Sequence, residues 1–121
     1  MASSRPIPPP DEFPKDMRVI WHAAQRQLRL QGTWENTDCQ LLESYVRAIL
    51  TARRAAAAAA DRPFVEGSRG QLVAHPAVKA AAEAERDACR FAQALLLTPD
   101  ARRRHEVKTP EHEPFLDNLV G

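Results

Sequence analysis

A stripe of basic side chains near the start of this 121-residue sequence carries its most distinctive charge pattern. Its members recur at steps of three or four residues, and we call them the basic stripe: Lys15, Arg18, His22, Arg26 and Arg29. At about 100° per residue of an α-helix, they fall within an arc of roughly 80°. No acidic residue lies between Met17 and Trp34. A one-sign face suits a polyanion, because each neutralised phosphate releases counterions. A surface helix that simply lacks acids explains the pattern equally well.

A second basic cluster stands further along the chain, at Arg102, Arg103 and Arg104. Such a cluster could provide further phosphate contacts. It could instead compensate the dipole at the C-terminal end of a short helix, where cations are favourable. We predict it as the second candidate DNA-binding site, after the basic stripe.

Residues suited to catalysis or metal binding do not form any motif. The four histidines show no paired spacing, and the two cysteines, Cys39 and Cys89, fit neither a disulfide framework nor a zinc pattern. No glycine-rich phosphate loop and no Walker signature is present. We therefore expect no enzymatic activity, no cofactor and no metal.

Length and composition indicate one small domain with a thin core. The formal net charge is only +1, so bulk charge points to no partner. Hydrophobic residues make up 44%, but many are alanines and aromatic residues are only 6%. Assembly with other copies would bury more surface. The first residues lack the apolar run of a secretory signal, and we expect a cytosolic protein with no membrane segment.

The elements that must position these side chains are helices, since no segment alternates with period two over a useful length. We predict an all-α fold: a short N-terminal helix, a long alanine-rich antiparallel helical hairpin and a short C-terminal helix. A single domain over residues 15–104 would contain helices at about 16–31, 38–60, 77–96 and 99–104. The segment 61–76 interrupts the pattern with proline and glycine and is predicted to be a loop.

Local signals mark several of these helix ends. Asp16 can cap the first helix and Gly32 can stop it, while Thr37 or Asp38 can cap the second. The second helix enters an unbroken alanine run, Ala55–Ala60. Alanine is the strongest helix former, and its small side chain allows helices to approach closely.

Both ends of the chain fall outside the predicted helical domain. Residues 1–14 contain five prolines and are predicted to form a flexible, extended arm. Residues 105–121 form a tail that mixes acidic with bulky apolar side chains. The apolar members could dock on a partner or pack back on this chain or a neighbouring copy: Phe115, Leu116, Leu119 and Val120.

The first two predicted helices and the short turn GTWENT between them allow another interpretation. Two helices with a tight turn and basic side chains are typical of helix-turn-helix transcription regulators. Any corner between two helices gives the same pattern, so the signal is weak. A non-DNA-binding helical scaffold protein is a third possibility.

The order of several residues resembles phage terminase small subunits. The matching features are Trp21 and Leu28 before Gly32, Leu-Glu-Ser-Tyr in the second helix, His75-Pro76 at the third helix, and Leu-Thr-Pro-Asp-Ala-Arg over 97–102. They span about residues 14–104. One departure is Leu96, where the family pattern more often has glycine. That leucine predicts a straighter end to the third helix.

The resemblance implies a role in viral genome packaging in the cytoplasm of the bacterial host cell. Such subunits form homo-oligomeric rings and bind double-stranded viral DNA. They recruit or regulate a large terminase subunit that holds the ATPase and nuclease, and the portal is a further possible partner.

Overall fold

A computed structural model of the chain describes residues 6–107. In chain order the elements are α1 (Lys15–Leu30), a 3-10 turn (Asn36–Asp38), α2 (Cys39–Asp61), β1 (Phe64–Glu66), β2 (Leu72–Ala74), α3 (Pro76–Ala94) and α4 (Pro99–Arg104). The protein is therefore mostly helical, as predicted. The prediction of a purely helical chain was wrong, because the segment between the two long helices contains a two-stranded sheet.

The small sheet is an antiparallel β-hairpin that pairs Phe64 with Ala74, Val65 with Val73 and Glu66 with Leu72. Its turn is closed by the Gly67 amide, which donates to the Gln71 carbonyl oxygen at 2.6 Å. Gly70 has a φ of 78°, which a side chain would resist. Each strand is only three residues long, too short to show the alternating pattern that identifies strands in a sequence.

The two long helices run in opposite directions and pack along each other. The β-hairpin joins the end of α2 to the start of α3. Leu95, just beyond α3, lies in one buried cluster with Leu42 and Val46 near the start of α2. Further along, the two helices approach through the small buried side chains of Ala52 and Ala81.

The hydrophobic core gathers at one end of the molecule. The apolar side of α1 packs there against the first half of α2. The buried side chains of the cluster are Phe13, Met17, Ile20, Trp21, Ala24, Leu28, Trp34, Leu42, Val46, Leu50 and Leu95. Trp34 is completely buried although it stands in the turn after α1. A bulky apolar residue just after a helix end often folds back onto the last turn in this way.

The N-terminal arm is not free over the residues that the structure describes. Phe13 is buried and meets the Trp21 ring edge-on, with 6.0 Å between centroids. The Trp21 Nε1–H donates to the Ile7 carbonyl oxygen at 2.9 Å, and Arg47 lies over the Phe13 ring at 5.0 Å. Within residues 6–14 the arm therefore contacts the core through Phe13 and Ile7.

The helix starts follow sequence signals in part. Pro76 opens α3, where the His75 Nδ1 accepts the Ala77 amide at 2.9 Å, and the Thr98 hydroxyl caps α4. Asp16 does not cap α1, because the helix begins one residue earlier, at Lys15. The Asp38 carboxylate accepts the Glu35 amide of the 3-10 turn and makes no cap bond to α2.

Three helices end in the same six-to-one and five-to-two hydrogen-bond pattern, with a residue of positive φ just beyond the helix. At the end of α1 that residue is Gly32, with φ 77°. At the ends of α3 and α4 it is Leu96, with φ 64°, and Glu106, with φ 54°. The prediction of a straighter end to the third helix was wrong. The chain turns at Leu96 and buries Leu95 on the core side of the turn.

Candidate nucleic-acid interface

The outward side of α1 carries most of the basic stripe. Its opposite side is fixed by the buried side chains of Met17, Trp21 and Leu28. The remaining face is turned to solvent, and its exposed basic side chains are Lys15, His22, Arg26 and Arg29. The only acidic residue of α1 is Asp16, in the first turn. The helix therefore presents cationic groups without intervening carboxylates over three turns.

Arg18 differs from the other members of the basic stripe. Its side chain is half-buried, and the Nε–H donates to the Phe13 carbonyl oxygen at 2.9 Å. Its Nη2 donates to the Asp11 carbonyl oxygen at 2.9 Å and to that of Pro10 at 3.5 Å. Arg18 thus holds the N-terminal arm against α1. Its charge still contributes to the local field, but much of its donor capacity is already used.

The second basic cluster is divided by the structure. Arg102 is only 3% exposed, and its Nη1 donates to the Leu97 carbonyl oxygen at 2.9 Å. Arg102 is therefore largely withdrawn from solvent, and its guanidinium supports the turn between α3 and α4. Arg103 is exposed, whereas Arg104 forms an ion pair with Asp100 one helical turn away.

A hydrogen-bond relay joins the end of α1 to the turn between α3 and α4. The Gln31 side-chain amide donates to the Leu96 carbonyl oxygen at 2.9 Å and to the Thr33 hydroxyl at 3.0 Å. Gln31 in turn accepts from the buried Gln27 side chain at 3.0 Å. The relay brings the end of α1 next to the turn that leads into α4. No periodicity in the sequence pointed to it, because glutamine is neutral and common on helices.

Two titratable side chains near the start of α2 have shifted pKa values. Burial raises the pKa of Tyr45, with a smaller opposing effect from the Arg53 charge. Burial also raises the pKa of the Cys39 thiol, and the neighbouring Asp38 charge adds to the increase. Both groups are therefore held in their neutral forms, and neither belongs to the basic stripe.

Comparison with known families decides the class of the protein. A family model described as phage terminase, small subunit, matches residues 18–112, which is most of the chain. The chain belongs to the phage terminase small-subunit family. No curated protein and no solved structure gives a significant match.

Membership of this terminase family gives a role in phage genome packaging. Small terminase subunits are in general the non-catalytic partners of the packaging enzyme. The family thus favours a packaging role over the transcription regulator that the first two helices and their turn left open.

Metal-binding clusters and membrane-spanning helices can be assessed for this terminase subunit only within the residues that the structure describes. Within residues 6–107 no three His, Cys, Asp or Glu side chains are placed to hold a metal ion. In the same range, no helix has the length and apolar character needed to cross a membrane. The predicted docking residues Phe115, Leu116, Leu119 and Val120 lie outside the described residues.

Proposed function

We propose that this chain is a DNA-binding packaging adaptor without enzymatic activity of its own. It binds double-stranded viral DNA and assembles with copies of itself into a ring. It recruits or regulates the large terminase subunit, which supplies the ATPase and nuclease, in the cytoplasm of the host cell. Its C-terminal residues Phe115, Leu116, Leu119 and Val120 dock on that large subunit or on the portal.

The observation that carries DNA binding is the exposed one-sign face of α1. Lys15, His22, Arg26 and Arg29 point away from the core, while the buried side of the helix fixes their direction. Side chains at helical spacing can follow a phosphate backbone, and such contacts set affinity more than sequence preference. Arg103 and Arg104, both exposed on α4, are the candidates from the second basic cluster.

Self-assembly is supported by the far half of α2. Its six consecutive alanines, Ala55–Ala60, have apolar side chains all round the helix, and α3 covers only one side. A helix that is apolar on every side is normally buried. A second copy packed against this surface would cover it. Repetition of α1 around the assembly would then multiply a modest affinity for DNA.

The DNA proposal is tested by removing charge from the basic stripe without adding bulk. In Arg26→Gln/Arg29→Gln, we expect weaker binding of duplex DNA in a filter-binding titration. The slope of log affinity against log salt should flatten by about 0.9 for each phosphate that the variant no longer neutralises. Affinity and slope that match the unaltered protein at every salt concentration would place the site elsewhere.

A matched control removes two charges from the other end of the molecule. Arg54 on α2 and Arg69 in the hairpin turn are both exposed, and Arg54→Gln/Arg69→Gln makes the same change in net charge. We expect this variant to bind DNA nearly as well as the original chain. Equal losses in the two variants would show that only overall charge matters.

Assembly and docking are tested separately. The native mass in solution, measured by light scattering after size exclusion, should correspond to a discrete assembly of many copies. A monomer, with or without DNA, would contradict the ring. Deletion of residues 111–121 should leave folding and native mass unchanged but abolish capture of the large subunit. Collapse of the assembly would show that the tail has a structural role instead.

A further inference from the structure

A shallow groove, open to solvent, lies on the outer face of α3 and extends to α4. Its first part, of about 460 Å³, is lined by residues one helical turn apart, from Ala82 to Gln93. Its second part, of about 260 Å³, is lined by the end of α3 and by α4, including Ala101 and His105. Arg90 and Gln93 line both parts, so the two parts adjoin.

The side chains of the groove combine a small apolar floor with a cationic rim. Ala82, Cys89, Ala94 and Ala101 leave room for larger apolar groups. The charged lining residues are three arginines and one glutamate: Arg86, Arg90, Arg104 and Glu85. A ligand that fits this groove would bring bulky apolar side chains and carboxylates.

The arginines of the rim remain available to such a ligand. Arg90 pairs with Asp87 at 2.8 Å, and Arg104 pairs with Asp100, but all four side chains are at least about half exposed. Exposed pairs within one helix contribute little, typically about 0.3–0.5 kcal/mol. A carboxylate that arrives together with an apolar anchor can therefore share or replace these partners.

We propose that residues 111–121 of the same chain dock in this groove. The segment supplies the required chemistry, with bulky apolar groups at Phe115, Leu116 and Leu119 and carboxylates at Glu111, Glu113 and Asp117. Its apolar side chains are larger than any on the floor of the groove. Its acids match the arginines of the rim.

The position at which the chain leaves the described part makes this docking geometrically possible. Val107 follows two residues after His105, which lines the groove. From Gln93 to Ala82 the groove spans eleven residues of helix, or about 16 Å at 1.5 Å per residue. Eight extended residues, 108–115, reach up to about 26 Å. Phe115 can therefore reach every part of the groove.

The apolar side chains of residues 111–121 that would dock on α3 are the same ones that we propose to bind the large subunit. The groove and the large subunit would therefore compete for this segment. The inference does not depend on that proposal, because it concerns only this chain. If deletion of residues 111–121 abolishes capture of the large subunit but does not change the reactivity of Cys89 in the groove, the inference fails and the proposed function stands. If the segment slows the reaction of Cys89 but its deletion does not affect capture of the large subunit, the inference stands and the docking part of the proposed function fails.

Cys89 on the floor of the groove provides a direct test. In a Cys39→Ala background, Cys89 is the single thiol of the full chain. We expect Ellman's reagent to react with it about tenfold more slowly in the full chain than in a chain ending at residue 110. That factor corresponds to a docked state populated about 90% of the time. Equal rates in the two chains would overturn the proposal.

Substitutions in the segment distinguish specific docking from general shielding. Phe115→Ala/Leu119→Ala in the full chain should restore the fast rate, while the matched control Asn118→Ala should remain slow. Because all three positions lie outside the described core, the fold of residues 6–107 is not at stake. Slow labelling in the double variant would contradict docking through these apolar groups.

A cross-link identifies the chain that supplies the segment. With Asn118→Cys in the same background, which leaves the apolar anchors in place, oxidation by an added disulfide should join residue 118 to Cys89 within one chain. The product should run as a monomer on a non-reducing gel and should have lost both free thiols. A dimer-sized product alone would show that the segment in the groove comes from a neighbouring copy, and this would contradict the proposal. Ser68→Cys, in the hairpin turn, is the control that should form no internal cross-link.

Discussion

The two ends of the α2–α3 pair differ in what holds them together. At the core end, α2 contributes Leu42, Val46 and Leu50 to a cluster that also includes α1 and the N-terminal arm. At the hairpin end, the same two helices meet through alanines such as Ala52, Ala81 and Ala84. A buried methyl group contributes only about 0.8 kcal/mol. Stability is therefore concentrated at one end, and surface is left uncovered at the other.

The hairpin end also exposes apolar side chains. Phe64 and Leu72 are 60% and 78% exposed, and they lie on the same face of the β-hairpin. Exposed apolar surface of this kind marks sites of interaction. The core end thus contains the packing that stabilises the fold, and the hairpin end has features of a surface that contacts another molecule.

The largest expected effect is at the core end. Trp21→Ala removes the edge-on packing with Phe13 and the hydrogen bond to the Ile7 carbonyl oxygen. We expect the free energy of unfolding to fall by about 3–5 kcal/mol, measured by urea denaturation followed by circular dichroism. Val73→Ala in the hairpin is the control and should cost far less. Similar losses in both variants would remove the contrast between the two ends.

A smaller effect is expected where α1 ends. Gly32 has φ 77°, and a Cβ at this position would have no heavy atom within 4 Å, so Gly32→Ala changes the backbone preference without a clash. We expect a loss of about 1–2 kcal/mol in the free energy of unfolding. Gly67→Ala lacks the positive φ and meets only the Gln71 side chain, so it should cost less. The opposite order would show that the Gly32 turn is not required.

A pH-dependent effect is expected at Tyr45, which is the single tyrosine of the chain. Burial raises its pKa, so the folded state favours the neutral phenol. The contribution to stability is present below the unfolded pKa near 10 and is lost as pH rises through the folded value. An ultraviolet titration of the folded protein should show ionisation at higher pH than in urea. Coincident titrations would contradict the burial of Tyr45.

The direction of the Arg53 effect gives an internal control for this titration. The Arg53 charge lowers the pKa of Tyr45 and so opposes burial. Arg53→Gln should therefore move the ionisation of Tyr45 to still higher pH. An unchanged titration would mean that the two side chains do not interact.

The smallest effect is expected at the hairpin end. Phe64→Ser/Leu72→Ser alters two side chains that are mostly in solvent. The free energy of unfolding of the isolated chain should change by less than about 0.5 kcal/mol per site. A loss of several kcal/mol in chemical denaturation would show that the hairpin belongs to the folding core after all.

The helices could be predicted from the sequence because their signals are local. Apolar periodicity, the alanine run and caps such as Thr98 identify elements without knowledge of their neighbours. The β-hairpin could not be found, because strands of three residues show no period. Phe13 and Trp34 were missed as core residues, since both stand in segments whose proline or glycine content indicates an arm or a turn.

The candidate site was less predictable than the fold. Charge and spacing placed Arg18 and Arg102 with the other basic residues, but both guanidiniums donate to backbone carbonyl oxygens. Nothing in the residue type separates an arginine that meets solvent from one that supports the chain. That difference depends on where residues distant in sequence come together. The conformation of Leu96 was equally unpredictable from residue type, because its positive φ results from the turn that buries Leu95.

Both tryptophans of the chain, Trp21 and Trp34, are buried at the core end, and none stands near the hairpin. Intrinsic fluorescence therefore reports the environment of one end only, whereas the ellipticity of the backbone reports the whole length of both long helices. If the hairpin end frays first on heating, the helical signal will decline before the emission of the indoles shifts. The protein thus carries a built-in optical label that separates local opening from global unfolding.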